Sequence, residues 1–145
     1  VKQKVKAIHN LARKASGFTL IELLVVIAII GVLATVVLVS LNSARMKSRD
    51  AKRVADIRQV MTAVELFFND CGGYPSTWQT SASNGCPAGT DLGDFISPLP
   101  TNPSPGGSAY TYSGGGATYS IGFTLEGQTG QLAAGAHTAT PGGIQ

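Results

Sequence analysis

The sequence predicts an α+β fold: a long N-terminal helix, apolar all round in its first half and amphipathic in its second, with a small antiparallel sheet packed on the second half. Three observations carry this. Residues 18–41 are apolar except for Thr19, Glu22, Thr35 and Ser40. Apolar residues then recur at Val54, Ile57, Val60, Met61, Val64, Phe67 and Phe68, the three-to-four spacing of a helix with one buried face. Further on, Tyr119, Ile121, Phe123 and Leu125 alternate with Ser120, Gly122 and Thr124, the two-residue period of a half-buried strand.

Residues 1–17 form a basic leader with Lys2, Lys4, Lys6, Arg13 and Lys14 and no acidic residue. The apolar run after it exceeds the 7–15 residues of a secretory signal, and Leu41-Asn42-Ser43-Ala44 leads into a charged helix-forming stretch rather than a cleavage site. At 1.5 Å per residue, 18–41 extends about 36 Å, enough to cross a bilayer. No proline or cluster of turn residues follows it before Asp70, so 18–70 reads as one helix of about 80 Å. Its head-domain part, 42–73, has a polar side carrying Arg53, Arg58, Gln59, Thr62 and Asn69. Cys71-Gly72-Gly73 ends the helix, and Pro75 prevents its resumption.

All but one of the seven prolines lie in 74–109, which reads as a long loop. Tyr110 to Ser113 and Thr118 to Leu125 read as strands joined across Gly114-Gly115-Gly116. A weaker third strand around Gln131 to Ala134 completes a sheet over 110–134, and the Gly/Ala/Thr-rich 135–145 reads as a flexible tail. So small a core benefits from a covalent staple.

Charge is zoned along the chain. Taking the five bases of residues 1–17 from the net charge of +3 leaves −2, and beyond Arg58 there are five acidic residues but no Lys or Arg. A basic head, an apolar span and an acidic distal part place the N-terminus in the cytoplasm by the positive-inside rule, although the second basic band at 45–58 competes with it. The bases lie upstream of the span or hard against its other end, where anionic lipid also attracts them, so the pattern argues against nucleic acid as a partner.

The two cysteines, Cys71 and Cys86, lie at the helix end and in the loop. A disulfide closing about 15 residues is worth roughly 3 kcal/mol in the chain-entropy model, and placement beyond the membrane suits an oxidising compartment. Free thiols or half a metal site are the alternatives. No further ligand lies nearby, His9 being in the leader and His137 in the tail.

The most informative residue is Glu22, a carboxylate inside a membrane-length helix. Such a group costs about 2.5–3.5 kcal/mol at a bilayer centre and marks a functional site by default. Snorkelling to the headgroups is the alternative, Glu22 being five residues into the run. The segment Gly17-Phe18-Thr19-Leu20-Ile21-Glu22-Leu23-Leu24-Val25-Val26-Ile27-Ala28-Ile29-Ile30-Gly31-Val32-Leu33-Ala34, after a basic leader, resembles the type IV pilin and type II secretion pseudopilin superfamily. The resemblance implies a pilin-like fold and cleavage between Gly17 and Phe18 by a membrane prepilin peptidase, which also N-methylates Phe18. It implies that Glu22 is the assembly carboxylate, paired with the Phe18 amine of a neighbouring copy. An α-amino group has an ordinary pKa of about 7.7–8.0, so the amine freed by cleavage is cationic at neutral pH. In low dielectric each charge is costly alone and less so paired.

The resemblance further implies a structural subunit polymerised into a type IV pilus-like filament. Its partners are copies of itself, the prepilin peptidase and N-methyltransferase, an inner-membrane platform, minor pilins, and membrane lipid before assembly. The alternative filament is the pseudopilus of a type II secretion machine: Leu99-Pro100-Thr101-Asn102-Pro103, with Tyr110 and Tyr112, looks like the Leu-Pro-x-Asp-Pro and Tyr-x-Tyr of the major pseudopilin. Two features depart from the pattern. Val39 stands where many members have proline, and the cysteine pair directly follows the helix. Calcium sites of such pseudopilins use acidic residues in the late loops, and Glu126 is the only carboxylate beyond Asp94, so neither metal nor cofactor is assigned. A different class remains: a single-pass membrane-anchored binding module that never polymerises. No Ser/His/Asp grouping or paired carboxylates are placed for catalysis, so the chain reads as no enzyme.

Overall fold

A computed structural model describes residues 17–78, 86 and 90–145. The leader expected over 1–17, Gly17 apart, lies outside the described residues. Helix α1, Leu20–Cys71, contributes to two compact units, Val1–Val39 and Ser40–Gln145. In the first unit every described residue from Phe18 to Val39 is exposed, an apolar surface that calls for lipid or another apolar surface around it.

The second unit contains the core. Ile57, Val60, Val64 and Phe67 of α1 form one buried cluster with Tyr119, Ile121, Phe123, Leu125, Leu92 and Ala139. The helix ends at Gly72, whose φ of +71° is the left-handed conformation only glycine adopts without strain, and whose N–H donates to the Phe68 carbonyl at 2.7 Å. Within the loop, Leu92–Asp94 forms a single 3₁₀ turn that buries Leu92.

Four strands follow: β1 Thr111–Gly115, β2 Thr118–Leu125, β3 Gly135–Thr140 and β4 Gly143–Ile144. They form an antiparallel meander in chain order, with Tyr112 opposite Ile121 and Ile121 opposite Ala139. In β2 the four expected residues are buried and their neighbours are not, as period-two alternation requires.

Three expectations are corrected here. The third strand runs over Gly135–Thr140 rather than 131–134, and 135–145 is not a tail but strands β3 and β4. Low strand propensity is outweighed by five register pairs with β2, and Ala139, fully buried, supplies the small side chain that the core admits there. Arg53, expected on the polar side, is fully buried. It lies three residues after Asp50 and four before Ile57, both buried, so helical geometry puts it on the core face whatever its charge.

Candidate functional site

The N-terminal site is built by the start of α1. Thr19 precedes the helix, and its backbone N–H and hydroxyl both donate to Glu22 Oε2, at 2.8 and 2.7 Å. The Glu22 N–H in turn donates to Thr19 Oγ1 at 3.3 Å. This is the reciprocal capping box of a Thr-x-x-Glu sequence, which satisfies the first orphan donors of a helix. It leaves Glu22 Oε1 with no hydrogen bond among the described residues. Phe18 is 87% exposed, and open space surrounds Gly17. Thr19 was the residue missed by sequence reasoning, although Thr19-Leu20-Ile21-Glu22 carries the capping signature.

The head domain is held by a second charged cluster. The buried Arg53 guanidinium donates to Asp50 Oδ1 at 2.5 Å, Glu126 Oε1 at 2.6 Å, Asn102 Oδ1 at 2.6 Å, the Pro103 carbonyl at 3.1 Å and the Gly106 carbonyl. One side chain of α1 thereby fixes both the 102–106 loop and the turn after β2. Asp50 also accepts the backbone N–H groups of Glu126 and Gly127, at 3.0 and 2.8 Å. Glu126 completes the cluster by pairing with Arg49. Hydrogen bonding from Arg49, against the cost of burial and with help from Arg53, pulls the Glu126 carboxyl down to about 2. The late carboxylate weighed as a calcium ligand is thus committed to arginine.

At the far end of α1, Cys71 is bonded to Cys86 with Cα atoms 4.2 Å apart. Beside it the Tyr74 hydroxyl donates to both Glu65 oxygens, at 2.9 and 3.0 Å. The Tyr110 hydroxyl donates to Asp56 at 3.0 Å.

Residues 12–38 match the family described as the prokaryotic N-terminal methylation motif. The chain is 34% identical over 132 residues to the type II secretion system core protein G of Vibrio cholerae, covering 86% of this chain and 90% of that one. It belongs to the type IV pilin and type II secretion pseudopilin superfamily. Another relative in the superfamily is core protein G of Pseudomonas aeruginosa, 31% identical over 69% of this chain and 74% of its own. The type IV wide pilus major component PilA4 of Thermus thermophilus is 42% identical over 44% of this chain and 49% of its own. No solved structure gives a significant match. This pilin-superfamily chain is a structural filament subunit, and its apolar helix fits a membrane-anchored precursor of such a filament.

Proposed function

We propose that this chain is cut between Gly17 and Phe18, methylated on the new amine, and polymerised into a type IV pilus-like filament in which each Phe18 amine pairs with Glu22 of the next copy. The observation that supports this best is Glu22 itself: Thr19 occupies Oε2 alone, leaving Oε1 for a second donor. Before assembly the span crosses the cytoplasmic membrane with the N-terminus inside and the head outside. The prepilin peptidase acts at the inner face, and an inner-membrane platform and minor pilins serve the growing filament. The role is structural rather than catalytic. The similarity to core protein G relatives extends over the head domain, which supports a second reading, the pseudopilus of a secretion machine, recovered from the periplasm instead of the sheared fraction.

The test is the N-terminus and yield of protein sheared from cells. The expected result is N-methylated Phe18 in wild-type fibres, and a Glu22→Ala variant that is processed yet almost absent from the sheared fraction. Normal fibre yield from processed Glu22→Ala would refute the pairing. Unprocessed protein confined to membranes would support the non-polymerising module instead.

A further inference from the structure

Two grooves flank the exposed ridge of α1 in the head unit, the first with a cation in its lining and the second lined by uncharged residues, with two aspartates on the loop segment just before it. The first, about 690 Å³, lies between α1 and the C-terminal strands and is lined by Val54, Met61, Leu132 and Ile144 with Arg58 at its edge. Arg58 is exposed, and its guanidinium has no ion pair among the described residues. The hydroxyl of Thr129, also in this lining, is buried without a partner. The second, about 530 Å³, lies between α1 and the loop and is lined by Leu66, Phe95, Ile96 and Pro98. Leu66 is 50% exposed, the only large apolar side chain beyond Leu41 left so among the described residues. The 3₁₀ turn directly before Phe95 presents Asp94 to solvent, and Asp91 stands at its start. At 100° per residue, Arg58 and Met61 lie on one side of the core stripe, Gln59 and Leu66 on the other, and Thr62 on the ridge between them.

An apolar groove carrying a cation and, on a different face, an apolar edge beside carboxylates, none of them in an ion pair among the described residues, are complementary. A two-fold contact through either face would set like charges against each other, Arg58 to Arg58 or Asp94 to Asp94, which is disfavoured. Pairing the unlike faces is heterologous, and a heterologous contact that does not close generates an open helical polymer. We propose that the Arg58 groove of one copy receives the Leu66 and Asp91-to-Pro98 edge of the next, with Arg58 meeting Asp94. This rests on the filament reading above and adds to it a head-to-head contact distinct from the Phe18–Glu22 pairing.

The test is a charge swap in the full chain, read as fibre yield sheared from cells, with Trp78 fluorescence checking that each head is folded. Arg58→Glu alone and Asp94→Arg alone should each lower yield about tenfold or more by opposing like charges, and the double variant should return it to within about twofold of wild type. Folded single variants with wild-type yield, or a double variant no better than the singles, would overturn the proposal. Asp94 also accepts the Asp91 N–H at 3.0 Å, so Asp94→Arg can disturb the turn. A second measurement avoids this: oxidised fibres carrying Met61→Cys with Ser97→Cys should run as a ladder of linked copies, and monomers alone would overturn the docking. Wild-type fibres are the control. Their absence from both the sheared and the periplasmic fractions overturns the filament reading itself, whereas their presence in either with an unrescued swap and no ladder overturns the docking alone.

Discussion

Replacing Arg53 by Met keeps the buried stem and removes the guanidinium. The loss can be worked from its partners. Asp50, 1% exposed, loses its cation but keeps two backbone N–H donors, and Glu126 keeps Arg49. Asn102 and the carbonyls of Pro103 and Gly106 lie nearer the surface, where water can take the place of the lost donors. Breaking a buried pair by removing one partner costs about 3–5 kcal/mol, and the surviving donors put this case near the lower end, about 3 kcal/mol. For a head domain of this size that corresponds to roughly 12–24 °C in melting temperature. Trp78, the single tryptophan, packs against Tyr112 with ring centroids 5.0 Å apart, so its fluorescence follows head unfolding in full chain held in detergent micelles. Arg53→Lys should recover only part of the loss, since one ammonium cannot serve five acceptors on three segments. A loss below about 1 kcal/mol, the level of an exposed ion pair, would refute the view that Arg53 is the tie between helix, loop and sheet.

Three further outcomes are expected. The folded Glu126 pKa lies below its ordinary value of 4.5, at about 2, so its contribution to stability is present above pH 4.5 and lost as pH falls through that window; urea midpoints measured from pH 5 downward should fall, and more steeply in wild type than in Glu126→Gln. Burial first, and then Glu65, push Tyr74 and Tyr119 up from 10 to about 12, so stability should fall as pH rises from 10 towards 12, with tyrosinate absorbance appearing together with unfolding rather than before it. Gly72→Ala should cost about 1–2 kcal/mol, the price of a left-handed non-glycine residue, because a Cβ there meets no atom within 4 Å and only the φ of +71° opposes it; a neutral effect in the same melts would contradict that.

Much of this fold was legible because its elements announce themselves by period. The stripe from Val54 to Phe68 and the alternation from Tyr119 to Leu125 each have one physical solution, and both appear where the pattern puts them. Gly135–Thr140 was illegible for the converse reason. Its strand is made by main-chain pairing to β2 and by the smallness of Ala139, neither of which leaves a hydrophobic signature. Arg53 was misjudged because charge was allowed to outvote position: a residue on the core face can be charged if five acceptors surround it, and four of those acceptors, all but Asp50, come from segments 49 to 73 residues away in sequence. The N-terminal motif was legible as a whole, yet the Thr19 part of it was seen only once the helix start was drawn.

That part changes how the membrane carboxylate is understood. A lone Glu22 would face the full cost of a charge in lipid, and the chain would hold it there merely in anticipation of a partner. With Thr19 donating twice to one oxygen, the carboxylate already does work in the unassembled chain, since it caps the helix whose first N–H groups lipid cannot satisfy. The other oxygen is the one left for the proposed amine of the next copy. Capping and pairing then use different atoms of the same side chain, so assembly adds an ion pair without dismantling the helix start. By this logic a Glu22→Gln chain, which keeps an oxygen for Thr19 but loses the charge, should start its helix normally and still fail to enter fibres, whereas a failure of the helix itself would mean that the cap, not the pair, is what the carboxylate is for.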